Sequence, residues 1–74
     1  MTEFSFDKAE RFRLCRELAE MRKSKGLTQR EVAELTGLRR NQVCRIEQGY
    51  YSVGVDILAV LADALGKRIV LEDK

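Results

Sequence analysis

The sequence predicts a single all-α domain, a bundle of about four helices followed by a short C-terminal β-strand. Apolar residues recur at spacings of three and four, glycines fall between these periodic segments, and the 74 residues include no proline. A chain of this length buries only about 60% of its unfolded surface, so a partner subunit would help it. No internal repeat, low-complexity segment or linker divides the chain, so one domain spans 1–74.

The first helix is predicted from about Lys8 to Lys25, with Asp7 as its N-cap and Glu10 completing a capping box. Gly26 ends it. Its apolar residues recur at helical spacing and are expected to form one buried stripe. These residues are Phe12, Leu14, Cys15, Leu18, Ala19 and Met21.

Two shorter helices joined by a sharp turn are predicted within Gln29 to Gln48. The first of them follows Thr28, which forms a second capping box with Glu31. Ala33 is small enough for the other helix to cross closely, and Gly37 suits a turn with positive φ. The inward face of the pair would consist of Val32, Leu38, Val43 and Ile46. This pattern is typical of the helix-turn-helix of DNA-binding repressors.

The third helix is predicted to begin near Arg39, which is an unfavourable N-cap residue. Replacing a good cap by a poor one costs about 1 kcal/mol, and a cation at the positive end of the helix dipole adds to that. Local rules broken without compensation tend to mark functional sites. We hypothesise that an anionic phosphate binds near this helix end, because it would relieve both penalties.

The fourth helix is predicted over about Gly54 to Leu65, ending at Gly66. We expect its core-facing residues to be Val55, Leu58, Leu61, Ala62 and Leu65.

Residues of about 67–72 favour a β-strand, since the run from Ile69 to Leu71 is β-branched or apolar. One isolated strand is not stable in water. It would pair with the same strand of a second chain, through Arg68, Ile69, Val70 and Leu71, or with residues 2–6 of its own chain, where Phe4 and Phe6 alternate. The first arrangement predicts a homodimer.

Charge is distributed unevenly along the chain. The net charge is only +2, yet Arg22 to Gln48 holds seven basic residues against three acidic ones. Such a segment favours a polyanionic partner, although a solvated surface with scattered cations is the alternative.

Several classes of function are not expected. Two cysteines without any histidine cannot complete a structural zinc site, and no nucleophile lies beside a plausible base. We therefore expect no catalytic residues, no metal, no cofactor and no small-molecule substrate. Apolar runs are too short to span a membrane, and the polar N-terminus is unlike a secretory signal, which predicts a cytoplasmic chain with reduced thiols.

From about Leu14 to Leu65, the chain resembles the Xre/Cro family, the repressor-type helix-turn-helix domains of bacteria and their phages. The matching segments are RKSKGLTQREVAELTGL, RIEQG and LAVLADALG. The resemblance implies a lambda-repressor-like bundle in which Arg40 to Gln48 lies in the major groove of double-stranded DNA. It also implies that the N-terminus of the second helix rests on the DNA backbone.

The resemblance further implies which side chains face the base edges, namely Arg40, Asn41, Cys44 and Arg45, with Arg39 and Gln42 at the margin. Helical geometry agrees, because an inward Val43 and Ile46 turn positions 40, 41, 44, 45 and 48 outward. Arginine can pair with guanine and asparagine with adenine, although these arginines could instead contact only phosphates. Cys44 either touches a thymine methyl or nothing, with an oxidation switch as the minor alternative.

Residues expected at the DNA backbone are Thr28, Gln29, Lys23, Arg30, Gln48, Tyr50, Tyr51 and Ser52. After Gly49 the family usually carries basic residues and a proline, so the two tyrosines could equally pack in a core or a dimer. Arg22 and Glu47 match a partly buried, structural ion pair of the family.

A homodimeric repressor that binds a palindromic operator is the function these features predict, since paired recognition helices about 34 Å apart read two half-sites. The alternative is the antitoxin of a toxin–antitoxin pair, which binds both its promoter and a toxin protein. A protein-interaction module that has lost DNA binding is the third possibility.

Overall fold

The computed structural model describes residues 8–50 and 52–73. In these residues it forms four helices: α1 (Ala9–Ser24), α2 (Gln29–Thr36), α3 (Arg40–Gln48) and α4 (Val55–Ala64). All four were predicted, within about one residue at each end. The predicted cap Asp7 lies outside the described residues, and Lys8 takes the N-cap position of α1 without a side-chain hydrogen bond.

Local sequence signals define the helix-turn-helix. The Thr28 hydroxyl accepts a hydrogen bond from the Glu31 N–H at 3.0 Å, and the Glu31 carboxylate accepts one from the Thr28 N–H at 2.8 Å. This is the predicted capping box, and it satisfies two backbone donors at the start of α2. Gly37 ends α2 with φ +78°, a conformation that glycine adopts without a side-chain penalty.

The core lies between the helices, with α3 packed against α1 and α2, and α4 packed against α2. It consists of Cys15, Leu18, Val32, Ala33, Val43, Ile46, Leu61, Ala62 and Leu65. The largest of these side chains are almost fully withdrawn from water, and each such burial stabilises the fold by roughly 1.5–3 kcal/mol. The packing confirms the predicted inward residues of α2 and α3, and it leaves the opposite face of α3 in solvent.

Two residues predicted for the core are exposed. Phe12 is 40% exposed because it lies over Gly49, at the edge of the α1–α3 contact. Val55 is 73% exposed because it is the first residue of α4 and precedes the part of that helix that packs inward. Leu14 and Met21 are half-buried.

The predicted C-terminal strand is not formed in this chain. Residues 67–73 have no regular secondary structure. A strand needs a neighbouring strand for its backbone hydrogen bonds, and none is present among the described residues. The segment lies beside α1 and contributes to a groove with Leu14, Leu18 and Met21. Among the described helices, none has the length and apolar character to cross a membrane.

Candidate nucleic-acid interface

The outward face of α3 carries polar and cationic side chains. Arg40, Asn41 and Arg45 are exposed, and the half-buried Gln42 and Cys44 lie beside them. Val43 and Ile46 are almost fully buried on the opposite side of the same helix. The helix is therefore held by its apolar side while five donor or thiol side chains remain accessible.

Two solvent-open clefts border this face. Arg39, Asn41, Gln42 and Arg45 line a cleft of about 430 Å³. Thr28, Gln29, Arg30 and Arg40 line another of about 420 Å³, at the N-terminus of α2. Thus the structure brings predicted base-contacting and backbone-contacting residues together on one side of the molecule.

Arg39 occupies the N-cap position of α3, as predicted. Its backbone is extended, with φ −88° and ψ 149°, and its side chain makes no capping hydrogen bond. The first N–H groups of α3 therefore lack the side-chain acceptor that Thr28 supplies to α2. This helix end combines N–H donors that have no side-chain acceptor with two arginines, Arg39 and Arg40.

A hydrogen-bonded network joins three helices behind this face. Arg22 on α1 donates to both carboxylate oxygens of Glu47 on α3, at 2.6 and 3.1 Å, and also to the Leu27 carbonyl at 2.8 Å. The side chains of Arg22 and Glu47 are only 11% and 12% exposed. The predicted ion pair is therefore present, and the hydrogen bond to Glu47 raises the pKa of Arg22 above its usual value.

Gln29 belongs to this network as well. Its amide nitrogen donates to Glu47 at 2.9 Å, so one of its two N–H donors is occupied within the protein. Sequence reasoning assigned Gln29 only to the DNA backbone. The contact with Glu47 spans 18 residues, and no local pattern indicates it.

A second contact between α1 and α3 was also missed. The Arg11 Nε–H donates to the Gly49 carbonyl at 2.8 Å, and its guanidinium lies 5.5 Å from the Phe12 ring centre. Arg11 and Arg22 are three helical turns apart on nearly the same side of α1. Arg11 and Arg22 therefore flank the buried Cys15 on the side of α1 that packs inward. This spacing is the sequence signal that could have predicted the contact between Arg11 and the C-terminus of α3.

The remaining predicted residues are more peripheral. Lys23 and Gln48 line one cleft together, beside Glu47. The Gln48 amide also donates weakly to the Cys44 sulfur at 3.8 Å. Tyr50 and Ser52 are exposed, so the Tyr50 ring is not part of the core. Tyr51 lies outside the described residues.

The two cysteines lie in different surroundings. Cys44 is half-buried on α3, whereas Cys15 is enclosed in the core, as predicted. Burial raises the pKa of the Cys15 thiol, so this thiol stays neutral at physiological pH. In the described part of the chain, no three potential ligands come together to hold a metal ion.

A short capped helix, a glycine turn and an outward-facing basic helix define a helix-turn-helix domain. The family model described as helix-turn-helix matches residues 18–71, and the chain belongs to this family, of the Cro/C1 (Xre-like) type. An uncharacterised helix-turn-helix-type transcriptional regulator of Methanothermobacter thermautotrophicus is 40% identical over 51 residues, which cover 69% of this chain and 74% of that protein.

A solved structure agrees with this assignment. The clp gene regulator ClgR of Corynebacterium glutamicum superposes with a TM-score of 0.74 at 33% identity. The match covers 78% of this chain and 62% of that one, so this chain spans less than two-thirds of that regulator. The resemblance to a helix-turn-helix transcriptional regulator family is thereby confirmed.

Proposed function

We propose that this chain is a homodimeric, sequence-specific transcriptional repressor that inserts α3 into the major groove of a palindromic operator. The observation that carries this proposal is the division of α3 into a buried apolar side and an accessible side with Arg40, Asn41 and Arg45. Such a helix can enter the groove without losing any core contact. Occupancy of a promoter by the bound dimer would block transcription.

Base contacts are assigned to the accessible side of α3. Arg40 and Arg45 can each donate two hydrogen bonds to guanine, and Asn41 can pair with adenine, at roughly 1–3 kcal/mol of discrimination for each pair. Arg39, Gln42 and Cys44 lie at the edge of the same surface. We expect substitution of these side chains to change which sequence is bound, beyond lowering affinity.

Backbone contacts are assigned to the rim of this surface. Thr28, Gln29 and Arg30 stand at the positive end of the α2 dipole, where exposed N–H groups favour phosphate. Lys23, Gln48, Tyr50, Tyr51 and Ser52 are assigned to further phosphate contacts. These contacts orient α3 and carry no sequence information of their own.

Selection of bound duplexes from a random pool tests this proposal without knowledge of the operator. We expect a palindromic consensus, and binding to it that falls steeply with salt, by about 10³-fold or more between 50 and 200 mM for six or more phosphate contacts. Arg45→Ala should relax the consensus at one position of each half-site.

Arg13→Ala is the matched control for that variant. Arg13 is an exposed arginine on α1 that bonds to the neighbouring Glu10 and Glu17. Its loss removes the same charge away from α3, so the consensus should be unchanged. A pool that yields no consensus with wild-type protein would contradict the proposed function.

An antitoxin is the second candidate, and the exposed tail of residues 67–73 favours it. Leu71 is 100% exposed, and a bound toxin protein would cover it. Mixing the purified chain with the product of the adjacent gene, and measuring the mass of the mixture, separates the two functions. A stable complex that Leu71→Ser abolishes would support the antitoxin, and two unassociated species would contradict it.

A further inference from the structure

The tail of residues 67–73 exposes three consecutive apolar residues. Ile69 is 40%, Val70 66% and Leu71 100% exposed. Soluble proteins tolerate isolated apolar residues on the surface, whereas a contiguous run commonly marks an interface. The tail therefore offers a surface that its own chain does not cover within the described residues.

The charges of the tail are arranged so that the segment complements itself. Two basic residues, Lys67 and Arg68, precede the apolar run, and two acidic residues, Glu72 and Asp73, follow it. Each basic residue therefore lies as far before Val70 as an acidic residue lies after it. A second copy of the tail, running antiparallel, is thus its electrostatic complement.

We infer that the tails of two chains pair as an antiparallel ribbon centred on Val70, with Arg68 of each chain opposite the partner's Glu72. In this register Lys67 faces the partner's Asp73, and Ile69 faces the partner's Leu71. The inference rests on the homodimer proposed above and specifies its interface. Opposite charges directly across an antiparallel pair are stabilising, and like charges are destabilising.

A parallel ribbon would be destabilised by repulsion between like charges. In register, it would place Arg68 opposite the partner's Arg68 and Glu72 opposite the partner's Glu72. Every charged pair would then be repulsive. The charge order of the tail therefore selects the direction of pairing as well as the partner.

A paired strand would place alternate side chains of the tail on opposite faces. Ile69 and Leu71 would share one face of the ribbon, while Arg68, Val70 and Glu72 share the other. In the single chain Ile69, the least exposed of the three apolar residues, lines the groove against α1 together with Arg68, Val70 and Glu72.

The dimer would bring the partner's Leu71 beside Ile69, over the same helix. Leu71, which is fully exposed among the described residues of its own chain, would thus be buried against α1 of the partner subunit. A two-stranded ribbon is marginal alone, and here two α1 helices would support it.

The charged side chains needed for this interface are available. In the part of the chain that the structure describes, neither Arg68 nor Glu72 forms a salt bridge, although the charge of Glu72 attracts the nearby Arg13. The nearby Arg13 is already bonded to Glu10 and Glu17, at 2.7 and 3.0 Å. Pairing across the dimer would therefore break no salt bridge among the described residues, and would compete only with the longer-range attraction between Glu72 and Arg13.

Charge reversal tests the register. Arg68→Glu and Glu72→Arg should each weaken dimerisation by about tenfold or more, because two attractive cross-strand pairs become repulsive in each. An equimolar mixture of the two variants should dimerise like the wild type, since every pair is then attractive again. The double variant R68E/E72R should do so by itself. The measurement is sedimentation equilibrium of the full chain over a range of micromolar concentrations.

Glu34→Arg, an exposed charge reversal on α2, is the control and should dimerise like the wild type. A monomeric wild type would overturn both the inference and the homodimer, and would favour pairing with residues 2–6 or a toxin. A dimeric wild type whose association neither charge reversal weakens would overturn the register alone. In both cases the duplex selection described above still reports on DNA binding.

Cysteine cross-linking supplies a second measurement, in a Cys44→Ser background. Arg68→Cys mixed with Glu72→Cys should give a disulfide-linked heterodimer under mild oxidation, because directly opposed Cα atoms lie within the span of a disulfide. Each variant alone should cross-link poorly, since residues four positions out of register are separated by about 13 Å along the ribbon. Efficient cross-linking of either variant with itself would contradict the antiparallel register.

Discussion

At the scale of single residues, Glu47 connects the elements of the domain. Its carboxylate accepts hydrogen bonds from Arg22 on α1 and from Gln29 on α2, while its own backbone belongs to the last turn of α3. This nearly buried carboxylate therefore helps core packing to fix the orientation of α3 relative to α2. Gln29 touches this carboxylate at the helix end where phosphate contact is proposed, so a backbone contact and base recognition would be mechanically linked.

Removing one partner of the ion pair should be strongly destabilising. Arg22→Met leaves the Glu47 carboxylate without its main donor at 12% exposure, and we expect a loss of about 3–5 kcal/mol in the free energy of unfolding. The double variant R22M/E47L should lose much less, because no uncompensated charge remains. Urea denaturation of R22M, E47L and the double variant measures the coupling energy between the two side chains. A loss below about 1 kcal/mol in R22M would contradict the structural role.

Gly49 should tolerate a side chain less well than Gly37, although both have positive φ. A Cβ at Gly49, with φ +74°, would lie 2.8 Å from Phe12 Cδ1, whereas a Cβ at Gly37, with φ +78°, meets nothing within 4 Å. Gly37→Ala should cost about 1–2 kcal/mol for the backbone conformation alone. Gly49→Ala should cost more, because Phe12 must also move. Equal losses in thermal or urea unfolding would show that Phe12 yields freely.

Cys15 should make stability depend on pH in the alkaline range. Burial raises the pKa of this thiol in the folded chain, so the unfolded chain ionises first, above about pH 8.5. Ionisation then stabilises only the unfolded state, and the free energy of unfolding falls as pH rises from 8 to 10. Cys15→Ala should lack this part of the fall, while Cys44→Ala should retain it. Parallel pH profiles for wild type and Cys15→Ala would contradict the prediction.

At the scale of secondary structure, success in predicting an element depended on where its signals lie in the sequence. The Thr28 capping box and the Gly37 turn involve residues within a few positions of each other, so the bounds of α2 followed from sequence. The Arg11 contact with Gly49 spans 38 residues and depends on how α1 crosses α3. The tail was predicted as a strand from its β-branched residues, yet a strand also needs a neighbour, which sequence periodicity does not supply.

At the N-terminus of α3, we expect the residue that favours DNA binding to lower the stability of the domain. Arg39→Ser supplies the missing side-chain acceptor and removes a cation from the positive end of the helix, so the domain should gain about 1 kcal/mol in stability. Affinity for the selected duplex should fall, because the arginine near the phosphate is lost. Thermal unfolding and fluorescence anisotropy on one protein sample measure both effects. Unchanged affinity would contradict a phosphate contact at this helix end.

At the scale of the whole molecule, the two proposed surfaces have different chemistry. The recognition side has the accessible arginines of α3, while the tail, beside α1, contributes exposed apolar residues and charges of both signs. Among the described residues, α3 is the one helix proposed to read the bases. Two such helices must be joined before a palindromic site can be bound with useful selectivity. Dimerisation through the tail would therefore raise the affinity for DNA, although the tail itself does not contact DNA.

This coupling predicts a difference between two duplexes of equal length, one with both selected half-sites and one with a single half-site. Arg68→Glu should bind the two-site duplex about tenfold or more weakly than the wild type, because the second half-site is no longer bound by a tethered partner. The added negative charge weakens attraction to both duplexes equally, so the ratio of the two affinities is the quantity to compare. That ratio should fall for Arg68→Glu and return when Glu72→Arg is mixed in. An unchanged ratio in anisotropy titrations would show that the tail does not join the two recognition helices.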